Sequence, residues 1–153
     1  MDAARAVALT DARLRAALRR AGLRVTGPRV RVYAALRGLG GHRSADEVFA
    51  AARAGGASLS RMTAYNALAD LLGAGLVTRA DAGPGRTLFE TRIDGHHHFV
   101  CRRCGVVLDV PCVRGRPPCL RLPAPVGRAD EAQVIFRGVC RACGGRRHRP
   151  LSP

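Results

Sequence analysis

Residues 60–90 read SRMTAYNALADLLGAGLVTRADAGPGRTLFE. In the first half, Ala64, Leu68, Leu71 and Leu72 recur at helical spacing, and Ser58 or Ser60 can cap the helix they imply. Arg61, Thr63, Tyr65 and Asn66 keep the beginning of that helix polar. The second half alternates instead, around AGPGR, so it predicts two short strands joined by a tight turn. A helix that runs into a hairpin is the end of a longer pattern.

Three helices are expected before it. In TDARLRAALRRAG (10–22), Thr10 can cap, Leu14, Ala17, Leu18 and Ala21 form a stripe, and Gly22 stops the helix. In TGPRVRVYAALRGLGG (26–41), Thr26 caps, Pro28 fits the first turn, and Val30, Tyr33, Ala34 and Leu36 are the apolar positions. In SADEVFAAARAGG (44–56), Ser44 and Glu47 have the spacing of a capping box, and Gly55-Gly56 closes the helix. Four helices and then a hairpin is the order of a winged helix-turn-helix, expected over residues 1–91.

From residue 92 helical periodicity stops, and all six cysteines lie beyond that point. HHFVC, VVLDV and EAQVIFRGVC read as strands. The segment between the last two, residues 111–130, is too rich in Pro and Gly to predict a helix. The expected class is therefore α+β. A second, small α/β domain spans 92–145, and the tail 146–153 is expected to be disordered.

The chain of 153 residues carries a net charge of +15, and every one of its 26 basic residues is Arg. Such a balance favours a polyanion partner, because neutralised phosphates release counterions. Aromatics are 4% of the chain and Trp is absent, so the core must be Ala, Leu and Val. No apolar run reaches the roughly 18 residues of a membrane span, and no signal peptide is evident at the beginning. A soluble, cytoplasmic protein without a membrane partner is expected. No nucleophile-and-base motif suggests an enzyme.

Cys101/Cys104 and Cys140/Cys143 are two C-x2-C pairs, each followed by Gly. Two such turns can complete a tetrahedral four-sulfur Zn²⁺ site, which would be structural. The alternative is two redox dithiols. Cys112 and Cys119 have the wrong spacing for that knuckle; they are either plain small residues or a reversible disulfide. On a strand, His96 and His98 share one face and His97 takes the other. With Glu90 and Asp109 nearby in sequence, the histidines form a mixed donor set suited to Fe²⁺, Mn²⁺ or Zn²⁺.

GLRVTGPRVRVYAAL, GHRSADEVF, SRMTAYNALADLLGAGLV, RTLFE, HHHFVCRRCGVVLDV and CRACG occur in this order over roughly residues 15–144. Together they resemble the ferric uptake regulator (Fur) family of dimeric, metal-dependent DNA-binding repressors. The resemblance implies a winged-helix DNA-binding domain followed by a dimerisation domain. It places structural zinc on Cys101, Cys104, Cys140 and Cys143. It places a regulatory metal, Fe²⁺ or Mn²⁺ with Zn²⁺ as a further option, on His42, Glu90, His96, His98 and Asp109. Gly95 and Arg116 stand where partners for a third metal would be sought, so no third site is expected.

The implied partner is double-stranded DNA, bound by a homodimer at an inverted-repeat operator. Arg61, Thr63, Tyr65 and Asn66 would meet the major groove, and Arg24 and Arg29 the phosphates. Arg79 or Arg86 would reach the backbone or the minor groove. The Cys112/Cys119 pair and the nitrogen–oxygen donor set resemble the catalase-associated, peroxide-sensing branch. An iron or peroxide sensor is the expected function. A zinc-uptake regulator is the alternative within the family, and a basic zinc-ribbon RNA-binding protein the alternative outside it.

Overall fold

The computed structural model describes residues 3–111 and 134–144, apart from 55, 57, 84, 92 and 94. Two compact units emerge, Met1–Ile93 and Asp94–Pro153.

The first unit contains α1 (Ala3–Arg20), α2 (Gly27–Leu39), β1 (Arg43–Ser44), α3 (Ala45–Arg53), α4 (Arg61–Gly73), β2 (Thr78–Asp81) and β3 (Thr87–Glu90). Helix α1 begins at Ala3, so Thr10 lies inside the helix and does not cap it. The alanine-rich segment before Thr10 has no Gly or Pro to interrupt it, and strong helix formers extend the helix backwards. Gly22 ends α1 in the left-handed region (φ 74°), where a Cβ would be strained. Its N–H donates to the Arg19 carbonyl at 3.0 Å, and the next N–H, of Leu23, donates to Leu18 at 2.9 Å.

The remaining caps follow the sequence. The Thr26 hydroxyl accepts from the Arg29 amide, with Pro28 in the first turn of α2. Ser44 and Glu47 close a full capping box on α3, and Ser60 caps α4 through the Thr63 amide at 3.0 Å. Buried Leu18, Val32, Leu36, Val48, Leu68, Leu71 and Val77 bring all four helices onto one aliphatic core. Each such side chain contributes about 1.5–3 kcal/mol on burial. Along α4 the buried stripe is Ala64, Ala67, Leu68 and Leu71; Leu72 is only half-buried, and Ala67 takes the place expected for it. On α2, Val32 is fully buried and Ala34 only partly so.

One ion pair ties two helices together. The Arg29 Nε and Nη2 donate to Asp70 Oδ2 at 2.9 and 2.7 Å, and Nη1 donates to the Arg24 carbonyl at 2.9 Å. The hairpin β2–β3 and the short β1 form an antiparallel sheet in the order β1-β3-β2. At the turn, the Ala82 N–H donates to Arg86 at 2.9 Å, and Gly85 has φ 68°. The four helices and the β2–β3 hairpin are the architecture expected from the sequence; the short β1, which adds a third strand through its pairing with β3, is not.

The second unit contains β4 (His97–Cys101), β5 (Val107–Val110), β6 (Ile135–Gly138) and the single turn α5 (Arg141–Gly144). β4 is central, antiparallel to β5 and parallel to β6. Cys112, Cys119 and the rest of the Pro-rich segment lie outside the described residues, and so does the tail from residue 145. Among the described residues, no helix is long and apolar enough to cross a membrane.

Candidate metal centres and nucleic-acid face

Cys101 is the last residue of β4, and Cys104 sits in the turn that follows. Gly105 (φ 72°) closes this turn by donating its N–H to the Cys101 carbonyl at 2.9 Å. Cys140 comes just after β6, and Cys143 lies within α5. Because β6 runs parallel to β4, with Gly138 paired to Cys101, both turns emerge at the same end of the sheet. The four sulfurs lie within 4.8 Å of one another, as free thiols. They form one cluster and not two separate dithiols.

The electrostatics of this cluster suit a cation. The amide of Cys140 donates to the Cys101 sulfur at 3.3 Å and that of Arg103 at 3.4 Å. Such amides, Cys140's first, push the Cys101 thiol down to about 6. The Cys143 thiol is pushed up to about 12, because its proton is shared with the sulfurs of Cys140 and Cys104. Four thiolates this close repel one another unless a divalent cation neutralises them. The donor set therefore fits tetrahedral Zn²⁺.

The histidines and carboxylates form a donor group within each unit. In the first, His42 Nε2 lies 3.6 Å from Glu90 Oε1, and both side chains are buried. Glu90 ends β3 opposite Thr78, whose hydroxyl donates to it at 3.4 Å. His42 sits between Gly41 (φ 59°) and Arg43. The Arg43 guanidinium donates to the carbonyls of Gly40 and Leu39 at 2.8 and 3.0 Å and pairs with Glu47 at 3.4 Å. That clamp fixes the loop bearing His42, and no local pattern in the sequence announces it.

In the second unit, His98 and Asp109 are direct cross-strand partners. His96 Nε2 lies 3.6 Å from Asp109 Oδ1, and the His96 and His98 rings are 4.7 Å apart. His97 takes the opposite face, edge-on to Phe136 at 6.5 Å, as strand alternation requires. Buried imidazoles beside carboxylates, with Glu90 only 3% exposed, make a donor chemistry that fits Fe²⁺, Mn²⁺ or Zn²⁺.

On the helical unit, α4 presents Arg61, Tyr65 and Asn66 to solvent. Thr63 is half-buried, and its hydroxyl is hydrogen-bonded to Ser60 at 2.8 Å, so it completes the cap. Arg24 is exposed, whereas Arg29 is committed to Asp70. Arg24, Arg29, Thr63 and Asn66 line a cleft of about 380 Å³. Asp46, a residue not singled out in the sequence, accepts from the Tyr65 hydroxyl at 2.9 Å and lies 3.3 Å from Arg61 Nη1.

Residues 20–112 match the ferric uptake regulator family. The transcriptional regulator FurA of Mycobacterium tuberculosis is 41% identical over 128 residues, covering 82% of this chain and 86% of its own. Ferric uptake regulation protein 1 of Mycolicibacterium fortuitum is 42% identical over 121 residues, 78% of this chain and 74% of its own. Among solved structures, the ferric uptake regulator of Pseudomonas aeruginosa with manganese superimposes with a TM-score of 0.62 at 26% identity, over 81% of this chain and 95% of that one. Sequence match, winged-helix unit and donor clusters agree: the chain belongs to the ferric uptake regulator family, as a metal-responsive transcriptional regulator and not an enzyme.

Proposed function

We propose that this protein is a cytoplasmic, dimeric repressor that binds an inverted-repeat operator when a regulatory ion is held by His42, Glu90, His96, His98 and Asp109. Zinc on Cys101, Cys104, Cys140 and Cys143 has a structural role in this reading. The observation that carries it is the division of donors: His42 and Glu90 belong to the helical unit, and His96, His98 and Asp109 to the sheet unit. An ion taking both groups ties one unit to the other, so metal and DNA binding are linked reciprocally, by about 1–3 kcal/mol if typical. Homodimerisation is supported by an apolar row on the second sheet. Leu108 and Phe136, each 47% exposed, flank Phe99 from the two neighbouring strands.

Iron or peroxide is the signal we favour, because the regulatory donors are all nitrogen and oxygen. Bound Fe²⁺ would supply a reductant for peroxide, while this chain supplies His42 and His96 as the side chains open to oxidation. Anaerobic DNA binding with iron, manganese or zinc supplied in turn tests the reading. His42→Ala and His98→Ala should each abolish metal-dependent operator binding and keep one zinc per chain. Micromolar peroxide should silence the iron form, add oxygen to a peptide containing His42 or His96, and spare the manganese form. DNA binding supported by zinc alone would favour the zinc-uptake regulator, and a reductant-reversible Cys112–Cys119 disulfide a thiol switch. Equal binding to operator and random duplex in every metal state would overturn the repressor assignment in favour of a nucleic-acid-coating protein. A steep salt dependence cannot decide, since both readings share it.

A further inference from the structure

A chain of net charge +15 is attracted to any phosphate backbone, whatever its sequence. Discrimination between DNA sequences then needs something that penalises the wrong duplex more than the right one. The helix bearing the candidate base contacts carries such an element beside it. Asp46, in the first turn of α3, reaches across to α4. Its Oδ1 accepts from the Tyr65 hydroxyl at 2.9 Å and faces Arg61 Nη1 at 3.3 Å. The Arg61 guanidinium also stands over the Phe49 ring of α3, 5.8 Å from its centroid. Asp46 and Tyr65 border a cleft of about 340 Å³ whose other side is Gly85, Arg86 and Thr87 at the hairpin.

We propose that Asp46 is a specificity-determining positioning residue for DNA recognition: it fixes Tyr65 and Arg61 in one pose and keeps a carboxylate where an approaching phosphate would otherwise meet only arginine. The proposal rests on the DNA-binding reading above. Stability gives little reason for the arrangement. Asp46 and Arg61 are 58% and 66% exposed, and an ion pair so open to solvent contributes little to stability. The α3 cap is already made by Ser44 and Glu47. The contact acts on recognition instead, in two ways. Fixing two long side chains before binding removes the ordering cost that a base contact would otherwise carry. Partial neutralisation of Arg61 turns it from a general phosphate magnet into an aimed donor. The hydrogen bond to Asp46 also holds the Tyr65 phenol above its ordinary range, which gives the contact a spectroscopic signature.

The test uses the full chain loaded with manganese, a duplex selected by that protein from a random-sequence pool, and a shuffled duplex of the same composition. Asp46→Asn keeps an acceptor oxygen and removes the charge; Asp46→Ala removes both. Asp46→Asn should tighten binding to the shuffled duplex about 3- to 10-fold, steepen its salt slope by about one counterion, and leave the selected duplex within about twofold. Asp46→Ala should also weaken the selected duplex, lower the Tyr65 titration midpoint followed by tyrosinate absorbance, and make a further Tyr65→Phe change silent. An unchanged ratio of selected to shuffled affinity in Asp46→Asn would overturn the proposal, as would full additivity of Asp46→Ala with Tyr65→Phe. Failure of the wild-type protein to select any sequence would bring down the DNA-binding reading itself, and this proposal with it.

Discussion

The two units are held together by different chemistry. The first unit packs Leu and Val from four helices into one core, with Leu18, Val32, Val48 and Leu71 at 0% exposure. In the second, the described residues that reach comparable burial are Val100, Cys101, Cys140, His97 and His98. Apart from Val100 these are metal-ligating residue types, and Leu108 and Phe136 face outward. The described residues of this sheet bury little apolar surface, so the hydrophobic effect contributes less among them than in the helical core. The contrast teaches that helical periodicity is enough to build one core, while on the reading proposed above the other half gains a zinc cross-link between distant strand ends.

The largest effect should come from removing that cross-link. Cys101→Ser or Cys140→Ser should lose the zinc and most amide protection in the second unit, since a structural zinc supplies on the order of 10 kcal/mol of apparent folding free energy. Helical circular dichroism from the first unit should survive. Hydrogen exchange with metal analysis reads both at once, and a variant that keeps a protected second sheet without zinc would break the comparison.

A smaller effect, confined to the other half, is expected from Leu68→Ala. Leu68 is 1% exposed in the helical core, so its truncation should cost about 2–5 kcal/mol. At a domain of this size each kcal/mol lowers the midpoint by roughly 4–8 °C. Zinc content should not change. If zinc is lost along with the helices, the two halves do not fold independently.

The smallest concerns the α3 cap. Ser44→Ala should cost about 1 kcal/mol. The amide and hydroxyl of Ser44 both donate to Glu47 at 2.8 Å and hold its carboxyl below its ordinary value of 4.5. A lowered folded value means that this contribution is complete above 4.5 and is lost as pH falls through the lowered folded value. Thermal midpoints measured from neutral pH down to acid should therefore draw closer for wild type and Ser44→Ala without meeting, because the Glu47 N–H still donates to the Ser44 hydroxyl at 3.2 Å in the wild type. A gap that stays constant through the acid range would remove Glu47 from the cap.

Much of this protein is written in local sequence. The Thr26, Ser44 and Ser60 caps, the glycine stop after α1, the hairpin and the two C-x2-C turns each depend on residues within a few positions of one another. Alternation alone separates His97 from His96 and His98. Where sequence reading erred locally, at Thr10 and Leu72, the contest was between a cap and continued helix, or between neighbours on one stripe, and small energies decide both.

What only the tertiary structure decided lies across long separations. Arg29 is held by Asp70 of another helix, and Tyr65 by Asp46 of another. The parallel pairing of β6 with β4 brings Cys140 to Cys101. Residue types and spacing determined that four cysteines could share one ion, because a turn of fixed length aims two thiols whatever surrounds it. Which partner an arginine or a tyrosine takes, and which strand lies beside another, are set by packing between segments that share no local period, and no stretch of sequence carries that information by itself.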